Sequence, residues 1–148
     1  MSSMNKAEVL ARIEEVALVP VVRTPSADLA LAAVEAILEG GIPIVEITLT
    51  VPGAVQLIEK LTQRFAGRAI IGAGTVITPD DARACADAGA QFLVSPGLDL
   101  ATVELVLKLG LVCLPGALTP TEVIAAWRAG VDMVKIFPCS AMGGAKPR

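Results

Sequence analysis

A glycine that closes a helical pattern, followed at once by a β-rich run, recurs along this chain at Gly40-Gly41, Gly89, Gly110 and Gly130. The last three stops stand about twenty residues apart, which leaves room for one strand, one turn and one short helix. Glycine suits the position because a chain leaving a helix enters the left-handed region. The runs that follow are Ile44 to Thr50, Phe92 to Ser95, Val112 to Leu114 and Met133 to Phe137. Helix starts are marked as plainly. Thr78-Pro79-Asp80-Asp81 offers a cap, a proline at the first helical position and acids near the positive end of the dipole. Thr119-Pro120-Thr121-Glu122 has the form of a capping box, and Ser26 precedes Asp28 in the same way. Helical apolar spacing then follows, as at Leu29, Ala32, Ala33, Ala36 and Ile37.

The pattern predicts an N-terminal helix and a first strand near Val16 to Arg23, then a helix to Glu39. A second strand over Ile44 to Thr50 precedes a helix from Gly53 to about Phe65. A third strand lies near Ala69 to Val76, with a helix to about Ala88. Fourth comes Phe92 to Ser95 with a helix from Asp99 to Leu109, and fifth Val112 to Leu114 with a helix from Pro120 to Ala129. The sixth strand is Met133 to Phe137. Strands alternating with single helices pair in parallel through right-handed crossovers. The fold class is therefore α/β, in one domain over residues 1–148. An open doubly wound sheet and a (β/α)8 barrel both fit. Six strands alone favour the open sheet, because a full barrel takes about 250 residues.

Composition removes several functions. Hydrophobic residues make up 54% and charged ones 18%, enough for strands covered by helices. Net charge is −3 with no basic run, which argues against nucleic-acid binding. No apolar stretch approaches the ~20 residues of a membrane span. The N-terminus lacks the basic start and apolar block of a signal peptide, so a cytoplasmic protein is expected. Cys85, Cys113 and Cys139 are odd in number and widely spaced, as free thiols are. The chain contains no histidine, which removes serine–histidine and cysteine–histidine catalysis and the commonest zinc sites.

Polar residues in apolar strands are the informative exceptions. Along Ile44 to Thr50, Val45, Ile47 and Leu49 share one face, and Glu46, Thr48 and Thr50 share the other. A surface-facing edge strand would explain this. So would a carboxylate aimed into a lumen, where desolvation raises its pKa and suits it to proton transfer. Lys135 stands alone in the apolar run Met133 to Phe137. A lysine reaching its ammonium to a strand end fits, and so does a desolvated amine able to attack a carbonyl. Gly72-Ala73-Gly74-Thr75 lacks the third glycine of a dinucleotide fingerprint, since Ile77 stands there. Its small residues could admit a substrate to the backbone, with Thr75 holding a carboxylate, or simply form a tight turn. Ser95-Pro96-Gly97 and Leu114-Pro115-Gly116 read as strand-end turns. Arg23 could meet an anion or stand in solvent.

Taken in order, residues 45–54 (Val-Glu-Ile-Thr-Leu-Thr-Val-Pro-Gly-Ala), Ile-Gly-Ala-Gly-Thr-Val, Phe-Leu-Val-Ser-Pro-Gly, Leu-Pro-Gly-Ala-Leu-Thr-Pro-Thr-Glu and Val-Lys-Ile-Phe-Pro resemble the 2-keto-3-deoxy-6-phosphogluconate (KDPG) aldolase family. That family includes 4-hydroxy-2-oxoglutarate aldolase activity. The resemblance covers nearly the whole chain and implies a (β/α)8 barrel, here reduced to about six βα units, in a homotrimer. It implies class I cleavage of a small 2-keto acid without metal or cofactor, with Lys135 as Schiff-base lysine and Glu46 as acid–base. Thr75, Pro96 and Phe137 match residues around the pyruvyl portion, and Arg23 matches a substrate-anion contact. Some members carry Arg where this chain has Thr50, others Thr, a position that the resemblance associates with binding of the substrate carboxylate. Cys139 takes no role.

The family continues with two further strands and a phosphate-holding loop, whereas this sequence reads Ser140 to Arg148 and stops. The expectation is therefore open edges at the first and sixth strands, left by truncation or filled by a partner. An assembly or scaffold subunit without catalysis is the competing reading, and a barrel or open-sheet enzyme binding a sugar phosphate without covalent chemistry is a third.

Overall fold

The computed structural model describes residues 4–142. Residues 143–148, on which the reading of the C-terminal tail falls, lie outside the described residues, as do 1–3, part of the N-terminal segment weighed as a leader. The elements run α1 (Lys6–Val16), β1 (Val21–Val22), α2 (Ala27–Glu39), β2 (Ile44–Thr48), α3 (Ala54–Arg64), β3 (Ile70–Gly74), α4 (Pro79–Asp87), β4 (Phe92–Val94), α5 (Leu100–Lys108), β5 (Val112–Leu114), β6 (Gly116–Ala117), α6 (Pro120–Arg128) and β7 (Lys135–Ile136), followed by a 3₁₀ turn over Cys139–Met142. Ser26, Thr78 and Thr119 each accept from the backbone three residues on, capping α2, α4 and α6. Asn5 and Glu8 form a further capping box on α1. Gly89, Gly110 and Gly130 take φ of 90°, 71° and 84°, the left-handed exit that their spacing implied.

Strands β1 to β5 form one parallel sheet in sequence order. Alternate residues divide between two cores. Val45, Ile47, Ile71, Ala73 and Leu93 face outward, into a core that takes Val34, Ile58, Leu61, Cys85, Val106 and Ala126 from α2 through α6. Ile44, Ile70, Phe92, Val94 and Val112 face inward, against Val9 and Ile13 of α1. Among the described residues the five crossover helices thus pack on one side, and α1 is the helix that packs on the other. An open doubly wound sheet would put helices on both faces, so this is barrel architecture: a partial (β/α)8 barrel whose lumen is plugged by α1. Lys6 of α1 pairs with Asp132 at 3.0 Å, and Asp132 accepts from the Cys113 backbone at 2.8 Å, tying the plug to β5.

Two expectations are corrected, and one strand, β6, is added to those the sequence predicted. The first strand does not begin at Val16, which closes α1; Ala17 takes φ 54°, and only Val21–Val22 pair with β2. The side of α2 that packs on the sheet is Ala30 and Val34, while Leu29 is 54% exposed and Ala32 and Ala36 are exposed as well. The stretch after α5 divides at Pro115 into β5, paired with β4, and β6, paired with β7. Proline has no N–H to give a ladder, and the sheet breaks there.

Candidate active site

The residues singled out in the sequence lie at the C-terminal ends of parallel strands, the end where barrels carry their chemistry. Arg23 follows β1, Thr50 follows β2, Thr75 follows β3, Pro96 follows β4, and Lys135 and Phe137 belong to β7 and its exit. Glu46 lies mid-strand in β2 and points inward, on the same face as Ile44. It is 4% exposed. Burial pushes its carboxyl above the ordinary carboxylate value, opposed by the positive charges of Lys135 and then Arg23. Those three groups are therefore brought together electrostatically. Glu46 and Lys135 nevertheless form no ion pair in the described structure, so a gap separates acid from amine.

Glu46 owes its position to its neighbour strand. The register sets Glu46 beside Gly72 and Thr48 beside Gly74. A Cβ at Gly74 would lie 1.7 Å from Glu46 Oε1, and one at Gly72 would lie 2.3 Å from the Phe92 ring. The space that these glycines leave is filled by the chain's own acid and phenyl ring. This replaces the expectation that they admit a substrate to the backbone. A small residue every second position beside an inward carboxylate was the available signal, but it needed the register to be read. Thr75 carries φ 61°, a left-handed conformation unusual for a threonine. The Thr75 side chain is half-buried.

Lys135 is half-buried, not enclosed. Its Nζ lies 5.0 Å from the centroid of the Phe137 ring, within reach of a cation–π contact. Phe137 is itself 43% exposed. Gly116, the register partner of Lys135, would place a Cβ 2.2 Å from the Pro96 carbonyl oxygen. Pro96 is thereby packed against β6, the strand paired with the one that holds Lys135, and Ser95 donates to the Gly97 carbonyl at 2.7 Å to shape the same turn. Thr50 is exposed, and its hydroxyl lies 2.8 Å from that of buried Thr48.

A groove of about 590 Å³ beside Pro43 is lined by Arg12, Glu35, Arg64, Phe65 and Arg68, at the opposite end of the strands. Arg64 is paired there with Glu35, and Arg12 with Glu15. None of the singled-out residues lines it. Among the described residues no group of three or more His, Cys, Asp or Glu is arranged to hold a metal ion. No helix there is long and apolar enough to cross a membrane.

Residues 9–147 match the family described as KDPG and KHG aldolase. The chain is 36% identical over 126 residues to 2-dehydro-3-deoxy-6-phosphogalactonate aldolase of Escherichia coli (strain K12), covering 85% of this chain and 62% of that one. It is 36% identical over 132 residues to 2-dehydro-3-deoxy-phosphogluconate aldolase of Treponema pallidum (strain Nichols), covering 89% and 62%. The structure superposes with a TM-score of 0.79 on KDPG aldolase from Legionella pneumophila, solved with pyruvate captured at low pH as a covalent carbinolamine intermediate. That pair shares 35% identity over 85% of this chain and 61% of the other. The chain thus spans about three fifths of the length of the curated relatives it matches.

Proposed function

The chain belongs to the KDPG and KHG aldolase family, and from that premise we propose that it is a class I aldolase, a carbon–carbon lyase acting on 2-keto acids. Lys135 Nζ adds to the C2 ketone, and the carbinolamine loses water to give an iminium. The iminium withdraws electrons, so the C3–C4 bond breaks as Glu46 takes the C4 hydroxyl proton. An aldehyde leaves. The resulting enamine is protonated at C3, and water releases pyruvate and returns the free amine. The step needs no metal or cofactor, since the imine itself is the electron sink. KDPG would give pyruvate and glyceraldehyde 3-phosphate; 4-hydroxy-2-oxoglutarate would give pyruvate and glyoxylate. In this reading Arg23 meets a substrate anion, Thr75, Pro96 and Phe137 surround the pyruvyl portion, and Thr50 is a further substrate contact.

The observation that carries the reading is Glu46: a buried acid, pushed up by desolvation, facing the charge of Lys135 from another strand. A carboxyl raised towards neutrality can both accept and return a proton. Enamine formation also tests it directly. With pyruvate in deuterated water, the methyl signal should wash out by NMR at a rate that Lys135→Arg abolishes and Glu46→Gln lowers about 10²–10⁴-fold, the range of acid–base catalysis. Exchange that survives Lys135→Arg would refute it.

The proposal extends to a single aldolase barrel domain, a homotrimer and a cytoplasmic setting. Three free cysteines support the last; burial pushes Cys85 up to about 11 and Cys113 up to about 12, leaving both thiols inert. A second reading, an assembly subunit, is favoured by the edge strands, where Val21 and Ile136 are 50% and 49% exposed. Deuterium washout by a monomer on a sizing column would remove it.

A further inference from the structure

The strand that carries Lys135 is anchored at its entry by a side chain where a ladder would use backbone. Asp132 stands three residues before Lys135. Its N–H donates to the Cys113 carbonyl at 3.3 Å, and the Met133 N–H shares that acceptor at 3.4 Å. The Cys113 N–H donates in return to Asp132 Oδ2 at 2.8 Å. Lys6 Nζ of α1 reaches the same oxygen at 3.0 Å, and the Asp132 side chain is 12% exposed. A parallel ladder would satisfy the Cys113 N–H with a carbonyl of the neighbouring strand. Here a carboxylate oxygen takes that place. Backbone pairing resumes beyond it, with the Lys135 N–H donating to Pro115 at 2.9 Å and the Phe137 N–H to Ala117 at 3.0 Å. Met133 packs into the inward core and Val134 into the outward one. By alternation Lys135 faces inward with Met133. A slip of one residue would turn the amine to the helix side.

Resting on the aldolase reading of Lys135, we propose that Asp132 is a positioning residue for the Schiff-base amine. Its carboxylate fixes the phase of the entering strand against β5, and Lys6 holds that carboxylate from the helix that plugs the lumen. Asp132 lies at the entry of the strand, away from the reacting atoms, so its effect passes through Lys135. Without the carboxylate, the Cys113 N–H loses its acceptor and Lys6 its partner. Two long backbone bonds to one carbonyl would then hold the entry. Beyond them stands the two-residue pairing of β7 with β6.

Deuterium washout from pyruvate by the full chain tests this, with rates expressed per folded chain as counted by circular dichroism. Asp132→Ala should slow washout by up to about 10²-fold, the scale of a small misplacement of a reacting group. Asp132→Asn keeps an oxygen for the Cys113 N–H and drops the charge facing Lys6, so it should slow washout roughly three- to tenfold. Lys6→Met should match Asp132→Asn, and the two together should add little to either alone. The pH profile separates positioning from mere support. Glu46 accepts the C3 proton as its carboxylate, so washout rises with pH through its pKa. Burial raises that pKa and the charge of Lys135 opposes the rise, so an amine moved away should shift the rising limb to higher pH. Lowered melting with an unchanged rate per folded chain would overturn the positioning role. A slower rate with an unmoved limb would do the same. Should Asp132→Ala fail to fold, Asp132→Asn and Lys6→Met decide by the same two readings. No washout by the unaltered chain would overturn the aldolase reading along with it.

Discussion

Glu46 stands on β2, which is paired on both sides and has neighbours Val45 and Ile47 fully buried. Lys135 stands on β7, two residues long, whose described pairing is with the equally short β6. The first region is shielded on both faces, outward by helices and inward by the plugged lumen. The second leaves Ile136 and Phe137 about half exposed. A parallel strand gains its stability from cover on both faces, and an edge lacks it. The proposed acid is consequently held by the densest part of the molecule, and the proposed nucleophile by the thinnest. Fixing Lys135 depends on one ladder and on the close approach of Pro96 to Gly116.

That contrast can be broken by mutation. Phe92 is fully buried between Gly72 and Val112, so Phe92→Ala should cost about 3–5 kcal/mol in denaturant unfolding. A cost near that of a surface change would refute the picture of a filled lumen. Gly72→Ala drives a methyl into the Phe92 ring and should cost about 1–3 kcal/mol. Gly97→Ala, with open space around it, is the matched control and should stay within about 0.5 kcal/mol. At the far end of the scale, Ile136→Ser on β7 should shift the unfolding free energy by no more than about 0.5 kcal/mol; a loss as large as that of Gly72→Ala would mean the edge is as well supported as the sheet.

Burial of β2 also makes stability depend on pH. Because burial raises Glu46 above its ordinary value of 4.5, the folded chain keeps this proton to higher pH than the unfolded chain does. The associated stability is complete below 4.5 and falls as pH rises through the folded value. Glu46→Gln removes that loss. The variant should melt above the unaltered chain at pH 7, with the gap closing near pH 4; a variant that melts lower at pH 7 would contradict a desolvated acid.

Much of this architecture is legible locally. The glycine stops and the threonine and serine caps set the order of the elements, because capping depends on residues three apart. The box at Asn5 and Glu8 has the same form three residues apart. The face of α2 was not legible, since apolar residues occur on nearly every side of it and composition chooses no direction. Inward placement of Glu46 followed from strand alternation. What Gly72 and Gly74 accommodate did not, because it depends on which residues of β2 and β4 lie beside them, and register is a property of the assembled sheet. The half-exposure of Lys135 was hidden for the same reason: an apolar run predicts burial, and exposure is decided by what pairs with it.

One amine among several is proposed to form the Schiff base. Reduction of the chain with borohydride in the presence of pyruvate, followed by peptide mass mapping, should find a single carboxyethyl group on Lys135 and none on Lys6, Lys60 or Lys108. Modification spread over those lysines, or none on Lys135 in folded protein, would contradict the account.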